Sequence, residues 1–394
     1  MRFSAISTRL AALLAAVLLP LFSYAYDPES HPADSSENHE AVAPAGGGHH
    51  SEKFNPGEMI IEHISDAHEW HVWSHYHIPL PVIVKTDKGI EFFSSGNFRN
   101  HDTHELQPYE GTNYTYALNH EGHIVIWDKT NEKVNETATA TILDLSITKN
   151  VLTLFIIVGI MLWIFISVAR AYTKRKGQAP KGMQSLFEPL IVFVRDDIAK
   201  PSIGKKYERY MPYLLTVFFF IWIGNMLGLI PFFPGGANFT GNIAITMVLA
   251  SLTFIITTVT ANGHYWRHIF AMPGVPIPIL IILTPIEIMG MFLKPVVLMI
   301  RLFANMMAGH IIALSFFALI FIFGKGGEAA GAGYGVSIGA IAFTVFMSIL
   351  ELLVCFLQAY VFTMLSAIYF GSAIEEHHHP NEDFDGLPNA EHSH

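Results

Sequence analysis

Long apolar runs dominate the chain beyond residue 149. The first, KNVLTLFIIVGIMLWIFISVARAY at 149–172, is long enough for a bilayer-crossing helix, which needs roughly 20 apolar residues. It ends in a basic cluster: Arg170, Lys174, Arg175, Lys176 and Lys181. Residues 182–200 mix apolar positions with Glu188, Arg195, Asp196 and Asp197, which predicts an amphipathic helix lying at the membrane surface. Lys200, Lys205, Lys206 and Arg209 follow. A second span is predicted over 212–233 and a third over 243–261, joined by an uncharged loop at 234–242. Two further tracts, 273–323 and 335–374, are joined by a Gly-rich stretch at 324–335. As helices they would measure roughly 75 and 60 Å at about 1.5 Å per residue, against a hydrocarbon core near 30 Å. Each is too long for one upright span and too short for two with a turn, so two long, steeply tilted helices are expected. Pro273, Pro276, Pro278 and Pro285 interrupt only the start of the first.

The part before residue 149 reads differently. Residues 1–25 have a basic start at Arg2 and Arg9, an apolar stretch over 10–22 and a small-x-small end at Ser23-Tyr24-Ala25, the pattern of a signal peptide. An uncleaved anchor is the alternative, although the apolar stretch is short for a span. Residues 26–57 are polar and predict a disordered linker. Over 58–148, apolar residues alternate at 80–85, 90–93 and 123–127, with turn signals at Asp87-Lys88-Gly89, Glu110-Gly111 and Glu121-Gly122. A small β-rich domain follows from that pattern. His68, His71, His75 and His77 raise a metal reading, since His71 and His75 have helical i,i+4 spacing. No carboxylate or cysteine completes a ligand pattern, so these four are only weak candidates and no metal is expected. A polar, partly buried histidine face is the plainer alternative.

Loop charge sets an orientation. Basic residues crowd between Arg170 and Arg209 and are missing from 234–242, which places the former on the cytoplasmic side. The N-terminal domain then lies outside. After five crossings, the acidic, histidine-bearing tail 375–394 lies in the cytoplasm. Composition agrees: hydrophobic residues make up 51% of the 394, charged ones 14%, and mean hydropathy is +0.38. A net charge of −10 excludes a nucleic-acid partner, which demands a basic footprint. The single cysteine, Cys355, rules out a disulfide framework. The expected fold is an all-α polytopic membrane protein of five crossing helices (149–374), with a surface amphipathic helix and the small β-rich N-terminal domain.

The informative residues are ionisable ones inside the last two tracts. Glu287, Lys294 and Arg301 fall seven apart and share one helix face, with Asn305 a turn beyond Arg301. His310, nine residues past Arg301, faces another neighbour, and Glu351 and Gln358 again fall seven apart. A charge at mid-bilayer costs at least about 2.5–3.5 kcal/mol, so such residues mark a functional site by default. A structural ion pair, such as Glu351 with Arg301 or with His310, is the alternative. Imidazole titrates near neutrality and a carboxyl group shielded from water binds its proton more tightly, so the set suggests a proton route. Arg301 cannot carry a proton and would act as a fixed charge. Near a dielectric of about 20, that charge 4 Å from a carboxylate is worth about 4 kcal/mol, enough to expel a proton.

KPVVLMIRLFANMMAGH at 294–310 resembles the signature helix of subunit a of F-type ATP synthases. ELLVCFLQAY at 351–360 is similar to that family's final helix, and NMLGLIP at 225–231 to a stretch of an earlier span. The resemblance covers about 150–376. It implies that Arg301 faces the carboxylates of a rotating c-ring. It further implies that Asn225, Asn305, His310, Glu351 and Gln358 line an outer half-channel, with Glu287 on the inner one and Lys294 beside the proton path. Implied partners are the c-ring, peripheral-stalk subunit b, the bilayer and protons; no cofactor is implied. The implied location is a bacterial inner membrane, and the role is that of a non-catalytic channel subunit. Many bacterial members carry Glu where His310 stands and His where Glu351 stands; here the two are exchanged, and Gly228 stands where some carry Asp. Residues 26–148 fall outside the family's common core. A proton-coupled secondary transporter is the rival reading and would require inverted repeats, which the sequence does not display.

Overall fold

The computed structural model describes residues 56–73, 76–100, 106–119, 122–131, 133–230, 234–270, 272, 275–324 and 330–375. The expected signal peptide, all but the end of the linker, and the tail beyond 375 lie outside the described residues. A short helix α1 (Pro56–Ile64) precedes strands β1 (Glu69–Trp73), β2 (Tyr76–Pro79), β3 (Pro81–Thr86) and β4 (Gly89–Ser94). Then come β5 (Tyr109–Glu110), β6 (Thr115–Leu118), β7 (Ile124–Asp128), β8 (Lys133–Val134), the helical turn α2 (Glu136–Thr139) and β9 (Leu143–Asp144). The β3 and β4 runs alternate as the sequence pattern demands, and Gly89 supplies the positive φ (136°) of the turn between them.

Sheets β4-β3-β9 and β5-β6-β7-β8 bury one shared core. Val82, Val84 and Phe93 from the first meet Tyr116, Ile124 and Ile126 from the second. Phe93 stacks on Tyr116 at 5.4 Å. One acid is buried there: Glu91 accepts from Thr112 N (2.8 Å), Asn113 N (2.7 Å) and the Tyr116 hydroxyl (3.0 Å). Three donors offset the cost of hiding that charge. The pair β1–β2 is a separate ribbon.

The domain is welded to the first long helix, α3 (Lys149–Lys174). Asp66 accepts from the Thr148 hydroxyl (2.8 Å) and from Asn150 N (3.1 Å), and Lys149 N donates to Ala67 O (2.8 Å). Two orphan donors of the helix start are thereby satisfied from 82 and 84 residues away. Next to this junction His68 is buried, with Nε2 3.0 Å from Asp144 Oδ2 and Nδ1 3.1 Å from Gly122 O. Both ring nitrogens thus face an oxygen of the protein. Burial works to raise the Asp144 carboxyl, but hydrogen bonds from His68 and Ser146 outweigh it and hold the group below its usual range. A lowered folded-state pKa contributes stability above the unfolded value and loses it as pH falls below about 4. Amide protection at 143–146, taken relative to the intrinsic exchange rate at each pH, is therefore expected to fall at acid pH in the native chain. In Asp144→Asn it should already be low at neutral pH and show no such acid step; an unchanged acid step in that variant would refute the assignment.

Among the described residues, five helices are long and apolar enough to cross a bilayer. After α3 come α4 (Met183–Phe193), a π-helical turn at Val194–Ala199 and α5 (Lys200–Ile203). The expected amphipathic helix is thus interrupted by a π-helical turn. It turns Phe187, Val194, Ile198 and Ile203 into the core and leaves Asp196 outward, pairing with Arg195 (2.8 Å) and Lys200 (2.6 Å). The second and third spans are α6 (Met211–Gly228) and α7 (Ile243–Thr260), followed by the short α8 (Gly263–Phe270). The last two are α9 (Ile277–Gly324, 48 residues) and α10 (Ala330–Ile374, 45 residues). At about 1.5 Å per residue they extend roughly 72 and 68 Å, more than twice the hydrocarbon core. The helix α9 continues through Pro285 and Pro295, as neighbouring helices allow in membranes. Fifth-span glycines set close approaches: a Cβ on Gly371 would collide with the Ser202 carbonyl, and one on Gly333 would lie 3.1 Å from Gly324 Cα.

Candidate functional site

Helices α9 and α10 form an antiparallel hairpin. Contacts step from Lys294 over the Tyr369 ring (5.5 Å), through His310 and Glu351, to Phe316–Phe343 (ring centroids 3.9 Å) and the Gly324–Gly333 approach. Along this seam the polar residues gather at two levels.

One level lies beside the 234–242 loop. His310 Nδ1 is 3.9 Å from Glu351 Oε1, with Glu351 7% exposed. Gly309 makes the approach possible, since a Cβ there would lie 2.5 Å from that same oxygen. From α6, Asn225 is 1% exposed and accepts at Oδ1 from the Thr240 hydroxyl (2.6 Å). A Cβ on Gly228 would stand 3.8 Å from His310 Nε2, so that position adjoins the imidazole. Asn238 donates to Met307 Sδ at 3.8 Å. Among the described residues, Asn225 Nδ2, Asn238 Oδ1 and Glu351 Oε1 are buried with no hydrogen-bond partner from the protein. Buried polar atoms of that kind mark water, an ion or a chemical role.

The other level lies beside α8. A cleft there is lined by Thr253, Thr257, Tyr265, Lys294, Tyr369 and Ser372, among others. Tyr213 and Thr253 share a hydrogen bond of 2.7 Å, and Thr253 lies 3.4 Å from the Ser366 hydroxyl. Burial and the nearby charge of Glu287 both push the Tyr265 phenol above its ordinary range.

Arg301 sits between the levels, nine residues or about 14 Å of helix from His310. It is half-buried beside the buried stripe Leu298, Leu302 and Met306, within electrostatic reach of Tyr369. Among the described residues no carboxylate pairs with it; the intramembrane acid Glu351 sits by His310 instead. Of the ion pairs weighed from sequence, the structure builds the one with histidine. The flank of the hairpin is apolar and uncovered, with Val297, Ile300, Phe346, Ile349 and Leu353 all exposed.

The structure does not gather every residue expected to share the route. Asn305 is exposed on α9, away from the buried cluster, while Gln358 is buried two turns along α10 from Glu351. Asn238, Thr240, Tyr213, Thr253 and Ser366 were not legible as site residues from sequence; the sole hint was polar Asn and Thr in an otherwise uncharged loop between spans. The helical pairing of His71 with His75 is corrected: His71 lies on strand β1, where residues four apart do not share a helix face, and His75 lies outside the described residues. His68 is committed to Asp144, and His77 Nδ1 lies 3.4 Å from Glu69. Among the described residues no group of three or more metal-ligating side chains forms.

The ATP synthase A chain family matches residues 151–371, and a domain family of unknown function matches 59–145. ATP synthase subunit a of Chloroherpeton thalassium is 43% identical over 246 residues, 61% of this chain and 70% of the relative. ATP synthase subunit a 2 of Chlorobaculum tepidum is 48% identical over 238 residues, covering 58% and 64%. ATP synthase subunit a of Myxococcus xanthus is 42% identical over 260 residues, covering 64% and 80%. With more than half its length matched and five apolar helices, the chain belongs to the ATP synthase A chain family of multi-pass membrane proteins.

Proposed function

We propose that this chain is the non-catalytic stator subunit through which protons cross the membrane part of an F-type ATP synthase. The observation that carries the reading is the seam of the α9–α10 hairpin, where a buried imidazole–carboxylate pair and a hydroxyl-lined cleft are separated along one helix by an arginine with no acid partner among the described residues. Protons reach His310 and Glu351 past Asn225, Gly228 and the 234–242 loop, on the side of the N-terminal domain. Gln358 extends that route along α10. They pass to a carboxylate of a rotating c-ring seated on the apolar flank of the hairpin, and leave near Lys294 and Glu287 on the side of the basic loops. Asn305, exposed beside Arg301, faces the ring.

Arg301 keeps the two routes apart. A guanidinium does not release its proton, so it forces an approaching carboxylate to ionise and offers no relay between the half-channels. Each charge crossing gains about 2.3 kcal/mol per 100 mV, which the ring converts to rotation. The segments fall into a leader (1–25), linker (26–57), extramembrane domain (58–148), channel body (149–374) and tail (375–394). The domain lies in the periplasm, the tail in the cytoplasm, and peripheral-stalk subunit b contacts the membrane body.

The test has two readouts. The purified chain should bring a c-ring with it. In a variant whose residues 26–140 are replaced by a short linker, passive proton conductance through membranes stripped of the catalytic head should persist. The first turn of α3 should fray in that variant, because Asp66 no longer caps it. Loss of conductance with the c-ring still bound would make the domain part of the path.

A further inference from the structure

The extramembrane domain leaves one apolar face uncovered. On the outward side of sheet β4-β3-β9, strand register aligns Ile90, Lys85 and Leu143 in one row and Phe92, Ile83 and Leu145 in the next. Ile90 is 67% exposed, Phe92 71%, Leu143 45% and Leu145 52%. Strand alternation turns the local acids, Glu91 and Asp144, to the opposite side, where one is buried and the other holds His68. Residues 59–145 carry thirteen acidic and five basic side chains, yet among the described residues this face has a single lysine and no acid. A water-facing surface of so acidic a domain has no reason to exclude its charges from one patch alone.

The patch is joined to the first span by a short stretch of chain. The ladder runs on past β9, with Leu145 N donating to Ile83 O (2.9 Å) and Ile147 N to Pro81 O (3.0 Å), and α3 begins two residues later. Leu145 is four residues from Lys149, at most about 14 Å of extended chain. The 26-residue α3 is roughly 39 Å long, so against a core near 30 Å its first turn already stands among the headgroups. Below it, Phe155, Val158 and Leu162 are exposed.

We propose that this sheet face is a lipid-contact surface, seated in the headgroup–acyl boundary of the leaflet on the domain's side. Phe92, Ile90, Leu143 and Leu145 displace interfacial water, and the Lys85 ammonium reaches a lipid phosphate while its stem stays apolar. The contact would hold the base of the domain at a fixed height over α3. It rests on the membrane reading of α3 and not on the proton path.

Spin-label accessibility tests it in the assembled complex, in a Cys355→Ala background, reconstituted into phosphatidylcholine–phosphatidylglycerol nanodiscs. A label at Phe92→Cys should show an oxygen-to-nickel-chelate collision ratio several-fold above that of a label at Thr130→Cys, in the exposed β7–β8 turn. A ratio equal to that of Thr130 would place the face in water and overturn the proposal. Shielding from both reagents would mean that a protein, either a second copy or another subunit, covers it, and would overturn it equally. A label at Leu162→Cys on α3 separates these failures from a failure of the membrane reading, since only the latter abolishes its oxygen preference.

Discussion

Replacing Arg301 with alanine is expected to reduce proton-driven ATP synthesis to background while the chain still inserts and carries its c-ring. The expectation follows from position. Leu298, Leu302 and Met306 hold the helix in the bundle, so the buried packing survives the loss of a half-buried side chain at its edge. What is lost is the only fixed cation between the His310–Glu351 pair and the cleft beside α8 among the described residues of that α9 segment. Arg301→Lys is expected to fail as well. Lysine keeps a charge in water but neutralises readily when desolvated, and its compact, strongly hydrated ammonium cannot spread charge as a guanidinium does. Substantial ATP synthesis in membranes carrying the lysine variant would contradict the fixed-charge argument.

The second large effect concerns His310 and Glu351. Exchanging them, as His310→Glu with Glu351→His, should retain more proton flux than either single change. Each single variant leaves two carboxyls or two imidazoles facing across 3.9 Å, and so loses the complementary pair. The double variant restores one acid and one imidazole. Residues in contact typically couple by 0.5–3 kcal/mol, so a coupling of about 1 kcal/mol, roughly fivefold in flux, is expected. Flux in the double variant no better than in the worse single one would separate the two residues functionally. Gly309 belongs to the same geometry: a side chain there would push the Glu351 carboxylate off the imidazole.

The spans were legible because a bilayer demands about 20 apolar residues in a row, and a continuous run is a signal that survives without an alignment. The third span observed at Ile243–Thr260 lies within one residue of the stretch read from sequence. The second ends earlier than the apolar run suggests, at Gly228, because Leu229 and Ile230 leave the helix to begin the loop. Strands β3, β4 and β7 showed through their period-two pattern, whereas β1–β2 did not, since EWHVW and YHIP show no regular alternation of apolar and polar residues. The residues of the buried pair were visible as charges in the wrong solvent. Their pairing was visible only as one of two options, Glu351 with Arg301 or with His310, since the choice depends on how α9 and α10 register across 41 residues of chain. Asn238 and Thr240 escaped notice because loop polarity is unremarkable until the loop is seen to fold back over Asn225. The capping of α3 by Asp66 is invisible for the same reason: nothing local links it to Thr148.

The central claim is that two aqueous routes open to opposite faces of the membrane and meet only through the ring. Sided silver-ion reactivity of introduced cysteines, read as loss of the free thiol, tests it most directly, in the assembled complex with Cys355 replaced by alanine. Glu351→Cys should react only with silver added on the side of the N-terminal domain. Glu287→Cys should react only with silver added on the side of the basic Arg170–Arg209 segment. Reaction of both cysteines from one and the same side would contradict the two-channel account.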